Sequence, residues 1–120
     1  MITGTCNYRF AYNGWNWFIN NYKNKITTEN ITNMASMFEH SALEEIPFDL
    51  NGNNTSPILM TGLFKSSSLT TIPKMNNMAP GSMGFIFANC ESLREIPDDI
   101  DANWDWSIMD SSTFVRSYMF

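Results

Sequence analysis

The chain has 120 residues, 43 % of them hydrophobic and only 16 % charged, with a formal net charge of −5 at pH 7. That is enough apolar material for one folded domain with a continuous core, and too much for a disordered segment. The seven Lys and Arg residues are scattered, which sets nucleic acid aside as a partner because phosphate neutralisation needs clustered basic groups.

Residues 1–29 read as a strand and a helix. Tyr8, Phe10 and Tyr12 alternate, Asn13-Gly14 marks a turn, and Trp15, Phe18, Ile19, Tyr22 and Ile26 recur at helical spacing. Such a unit would cap one end of a stack of repeats. Four aromatic residues, Trp15, Trp17, Phe18 and Tyr22, also crowd this helix. The rival reading is therefore a sugar-stacking platform, with Trp17, which stands off the buried stripe, as its contact residue.

Residues 30–120 carry about three repeats and an unfinished fourth. Met34-Ala-Ser-Met37-Phe38 runs to Leu43-Glu-Glu-Ile46-Pro47, Met60-Thr-Gly-Leu63-Phe64 to Leu69-Thr-Thr-Ile72-Pro73, and Met83-Gly-Phe-Ile86-Phe87 to Leu93-Arg-Glu-Ile96-Pro97. The prolines are 26 and then 24 residues apart. Within each cassette apolar residues fall at i, i+3 and i+4, with Ser41, Ser67 or Cys90 at i+7, a helical stripe ending in a small side chain. Leu-x-x-Ile-Pro is too short for a helix and reads as an extended segment. The expected fold is an α/β repeat solenoid of leucine-rich-repeat-like coils, each a short helix plus a short strand.

Phe87-Ala-Asn-Cys90-Glu-Ser-Leu93-Arg-Glu-Ile96-Pro97, with Asn30-Ile31-Thr32-Asn33-Met34-Ala-Ser-Met37-Phe38 in the first copy, resembles the BspA-like leucine-rich repeats, a family related to repeats first noted in mycoplasma surface proteins and also found in phages of gut bacteria. The resemblance covers residues 30–120. It implies an interaction or adhesion scaffold and not a catalyst, placed at a bacterial surface or in a virion, with a protein or a glycan as partner. No cofactor is expected.

The cysteines are expected as free thiols, since Cys90 takes the place of Ser41 and Ser67, and Cys6 lies outside the repeats. His40, the one histidine, sits in the turn between the expected helix and the extended segment, and neither cysteine has a histidine beside it in the chain, so a nucleophile–base pair would arise only from tertiary placement. Of the nine methionines, Met34, Met37, Met60 and Met83 fall at core positions, where a flexible side chain fills uneven space. No stretch approaches the roughly 20 apolar residues that span a bilayer, so membrane insertion is not expected. The start, Met1-Ile-Thr-Gly-Thr-Cys6, lacks the pattern of a secretory signal.

The acidic stretch invites a metal reading. Asp99, Asp101, Asn103, Asp105, Ser107 and Asp110 carry oxygen at positions 1, 3, 5, 7, 9 and 12 of a calcium-type loop. Trp104 stands where that loop needs glycine, and the last position is Asp in place of Glu, so a solvated acidic loop is the simpler account. Asp98, Asp99, Asp101 and Asp105, with Trp104 and Trp106, remain candidate binding residues. Phe114, Tyr118, Met119 and Phe120 echo the Met37-Phe38 step. They form a candidate interface for continued repeats or a protein partner at that end.

Three functions compete. The favoured one is a non-enzymatic recognition or structural scaffold whose repeat face binds another protein or a glycan, its mark being variability in the exposed loops 51–57, 74–82 and 98–107 against a fixed core. The second is a small intracellular phage-type inhibitor that binds a host protein through its acidic C-terminal region. The third is a fragment of an enzyme, for which the repeat register supplies no pocket of titratable groups.

Overall fold

The computed structural model describes residues 3–11, 16–53, 57–105 and 107, and parallel strands one repeat apart form its frame. Strand β1 (Thr3–Thr5) pairs with β2 (Asn30–Asn33). The pairing continues from β2 to β4 (Ile58–Leu59) and from β4 to β6 (Pro80–Ser82). A second parallel pair joins β3 (Leu50–Asn51) to β5 (Met75–Asn76). The helix α1 (Asn16–Tyr22) runs into a 3₁₀ turn, Lys23–Lys25.

Where the apolar spacing predicts a helix in each repeat, the backbone makes consecutive turns, a correction to the expected coil. The N–H groups of Met37, Glu39 and Ser41 donate three residues back, to the carbonyls of Met34, Ser36 and Phe38, each at 3.1 Å. The alternate N–H groups leave the repeat altogether. Those of Met34, Ser36, Phe38 and His40 donate to Leu59, Thr61, Leu63 and Lys65 at 2.8 to 3.0 Å, and those of Met60, Gly62, Phe64 and Ser66 to Ser82, Gly84, Ile86 and Ala88 at 2.8 to 3.0 Å. Consecutive turns bury positions i, i+3, i+4 and i+7, the same set that a helix would bury. Two turns of helix do not repay their nucleation, whereas a neighbouring repeat in register offers an acceptor for every second donor.

Residues 3–11, which the spacing places with the cap, make the same bonds as the later repeats. Cys6, Tyr8 and Phe10 donate to Asn33, Ala35 and Met37 at 2.7, 3.2 and 2.8 Å, while Arg9 and Ala11 close turns onto Cys6 and Tyr8. Thr5-Cys-Asn-Tyr-Arg-Phe10 thus aligns with Asn33-Met-Ala-Ser-Met-Phe38.

This backbone path needs left-handed residues at two recurring places. Tyr8, Ser36, Gly62 and Phe85 form one column, with φ of 60, 55, 65 and 59°, and His40, Ser66 and Asn89 form the other, with φ of 57, 58 and 58°. Glycine takes that conformation freely, and other residues at a cost of roughly 1–2 kcal/mol.

The core is a set of matching columns. The rings of Phe10, Phe38, Phe64 and Phe87 stack with successive centroid separations of 5.5, 5.7 and 5.6 Å. Phe18 of α1 meets Phe10 at 6.0 Å, so the helix covers the first-repeat end of that column. Cys6, Met34, Met60 and Met83 are buried in a second column, and Ser41 and Ser67 lead to a half-buried Cys90 in a third. The Cys90 thiol donates to the Phe64 carbonyl at 2.9 Å and touches Ser67 Oγ at 3.6 Å. Neither cysteine is in a disulfide, and burial pushes the Cys6 thiol above its usual range against the opposing charge of Arg9.

The Leu-x-x-Ile-Pro segments are not strands, a second correction. Ser68 and Thr70 still donate to Ser41 and Glu44 at 3.0 and 2.9 Å, but proline brings no N–H to continue a ladder. The strands β3 and β5 form only after Pro47 and Pro73. There the Asn76 amide donates to Asn51 Oδ1 at 2.9 Å, and the buried Thr28 hydroxyl bonds both N–H and C=O of Asn51. Gly52 follows, and a Cβ built on it would collide with the Asn77 backbone carbonyl. Gly52→Ala is expected to cost about 1–3 kcal/mol in a urea titration, since the obstacle is backbone and not a movable side chain.

Candidate binding surfaces

The prolines leave clefts between successive repeats. One, of about 390 Å³, lies between the Ile72-Pro73 and Pro97–Asn103 segments; Ile72, Met75 and Ile100 supply apolar lining, and Lys74, Asp99 and Asn103 polar lining. Its volume falls in the range of small-ligand sites. The acidic loop that borders it is built from turns: Ile100, Ala102 and Trp104 donate to Pro97, Asp99 and Asp101. Three bonds then tie it to the preceding repeat. Asn77 N–H donates to Asn103 Oδ1 at 2.8 Å, the Trp104 indole N–H to Met75 O at 2.7 Å, and Asp105 N–H to Met78 O at 2.8 Å.

These contacts redefine several expected site residues. Trp104, a candidate for ligand contact, is only 8 % exposed and serves as a plug whose indole nitrogen is already bonded. Asn103 spends its carbonyl oxygen on the Asn77 amide. Asp98 and Asp99 are exposed on the loop, and Asp101 and Asp105 are half-buried. The Ser107 N–H, donated to Asp105 Oδ1 at 2.9 Å, holds that carboxyl below the usual carboxylate range. The bond is local to the segment, and the preference it gives the ionised carboxylate is present at neutral pH and fades as the pH falls through the lowered value. Among the described residues no group of three or more His, Cys, Asp or Glu side chains converges on a metal position. Asp110, Trp106, Phe114, Tyr118, Met119 and Phe120 lie outside the described residues.

Trp17 is 68 % exposed, with Tyr22 edge-on at a centroid distance of 6.2 Å, as its place off the buried stripe predicts. His40 is exposed on its turn.

A second surface follows the strands and their first turns. Tyr8 and Phe85 are 53 % and 54 % exposed and occupy the two ends of the left-handed column whose middle members are Ser36 and Gly62. The floor between them is tight, since a Cβ on Gly62 would stand 3.2 Å from Ser36 Oγ. Leu59 is also exposed nearby in the chain, and the Thr61 hydroxyl donates to Ser82 Oγ at 2.9 Å. Periodicity alone hides this surface. Only the alignment of Thr5–Phe10 with the later repeats puts Tyr8 in register with Phe85.

No family model, no curated protein and no solved structure matches the chain. Among the described residues no helix is long and apolar enough to cross a membrane.

Proposed function

We propose that this chain is a non-catalytic recognition scaffold, a solenoid module of the kind the BspA-like resemblance implies, binding a protein or glycan at a bacterial surface or in a phage particle. The observation that carries the reading is Phe85. A bulky aromatic residue holds a left-handed conformation at a position filled by glycine in one neighbouring repeat and serine in the next, and more than half of it faces solvent. Backbone strain and exposed apolar surface together return little to folding, and such outliers gather where a surface makes contacts. Tyr8 repeats the pattern at the other end of the column.

Phe85→Gly is accordingly expected to leave stability within about 1 kcal/mol of the parent, relief of the left-handed strain offsetting the lost partial burial. The test of function is attachment of the fluorescently labelled chain to intact bacterial cells and to purified cell envelopes. Attachment should fall with Phe85→Gly and survive replacement of Asp98, Asp99, Asp101 and Asp105 by Lys. The opposite pattern favours the inhibitor reading, which draws support from the three bonds that pin the acidic loop in place. Failure to attach to any surface sinks the scaffold reading.

A further inference from the structure

The chain carries 19 charged residues, seven basic and twelve acidic. None of them falls in residues 3–8, 30–38, 57–64 or 79–90, the four segments that hold β1, β2, β4 and β6 with their first turns. Thr5, Asn7, Thr32 and Thr61 there are exposed and their register equivalents Asn33, Ala35, Ser82 and Gly84 half-buried, with Tyr8, Leu59 and Phe85 as the exposed large apolar side chains. Charges resume immediately beyond, at Arg9, Glu39 and Lys65.

From this we infer that the face along the Tyr8, Ser36, Gly62 and Phe85 column binds a neutral oligosaccharide, an inference that rests on the recognition reading above. A neutral sugar offers what this face is built to meet. Its hydroxyls pair with uncharged hydroxyls and amides, and the C–H faces of its pyranose rings stack on aromatic side chains, while no ionic partner is called for. Charge stands only at the margins, at Arg9, Glu29 and Glu91 among others, and within the segments themselves an acidic or basic partner would find no complementary group. The geometry suits a chain ligand. Adjacent parallel strands lie about 4.8 Å apart, so Tyr8 and Phe85, three steps distant, are roughly 14 Å apart along the column. A single step of about 4.8 Å is comparable to the advance of one pyranose along an extended glycan, so the column would span about three sugar units. Ser36 and Gly62 keep the space between the two rings open, and a larger side chain at position 62 would press on Ser36.

The experiment is affinity electrophoresis of the full chain through gels containing one purified neutral polysaccharide each: a β-glucan, a mannan, a galactan, a xylan and a soluble chitin derivative. Retardation is expected in at least one gel and should be the same at low and high salt, since no charges are screened. Phe85→Gly, Phe85→Ser and Tyr8→Ser, each checked for folding by circular dichroism, should weaken retention about tenfold or more. Trp17→Ala, on the other aromatic surface, should not. Retardation that survives both column substitutions, or that disappears with salt, overturns the assignment. So does the absence of retardation in every gel. Attachment to cells that is abolished by protease treatment, with no glycan retained, overturns the glycan assignment while leaving the scaffold reading standing.

Discussion

Replacing Phe64 by Ala is expected to cost about 3–5 kcal/mol, the range for deleting a buried aromatic ring and leaving a cavity. Phe64 is fully buried and stacks on Phe38 at 5.7 Å and on Phe87 at 5.6 Å. The loss therefore falls on two repeat interfaces at once, and each aromatic pair adds roughly 0.5–1.5 kcal/mol beyond its buried area. Domains of this size have about 5–15 kcal/mol in all, so the variant should sit near its folding limit. A urea titration should show its midpoint lowered by roughly 2 M or more. Phe48 makes the comparison. It is half-buried and tilts against Phe38 at 6.2 Å from outside the column, and its alanine variant should lose distinctly less. Equal losses at Phe48 and Phe64 would mean that the column is not the main connection between repeats.

Trp104→Ala is the second large expected loss, about 3–5 kcal/mol if the protein unfolds as one unit. Trp104→Phe separates its two contributions. Phenylalanine keeps most of the apolar filling but brings no N–H to the Met75 carbonyl, and an unsatisfied buried acceptor costs about 1–3 kcal/mol. The signature that distinguishes a plug from an ordinary core residue is local. In the phenylalanine variant, amide hydrogen exchange should accelerate at Asn77 and at Asp105, whose N–H groups hold the loop to the preceding repeat. Exchange in the strands of the first repeats should be little changed. Uniform acceleration across the chain would contradict the plug.

Much of the connectivity was legible in the chain itself. The recurrence of Met-x-x-x-Phe and Leu-x-x-Ile-Pro identifies equivalent positions correctly, and Ser41, Ser67 and Cys90 line up as the spacing predicts. What the spacing misread is the local backbone. Burial at i, i+3, i+4 and i+7 is common to a helix and to a run of turns, and only the destination of the N–H groups separates them. That destination is another repeat, a non-local fact that residue order does not display. Gly62 was the available clue, since a glycine amid a helical stripe is costly, while the left-handed place in a turn rewards it. The first repeat unit was missed for a related reason: Cys6 and Arg9 stand where the others have Met and Met, Leu or Ile, so only Phe10 keeps the motif. At the site, Asp98 and Asp99 were legible as exposed acids and Trp17 as an exposed ring. Trp104 was not legible as a plug, because its burial depends on the Met75 carbonyl 29 residues away.

The direction of the backbone bonds has a mechanical consequence. Every second N–H in the turn runs points from one repeat to the next, so these bonds lie along the stacking axis. A tether pulling along that axis loads one layer of bonds at a time in tension, and the protein should pay out in discrete lengths. With repeats 26 and 24 residues long, each release adds about 80–90 Å of extended chain. A load across the axis has no such weak layer to open. For a module fixed at one end and gripped at the other, this anisotropy makes the stack an extensible link in one direction and a stiff plate in the other.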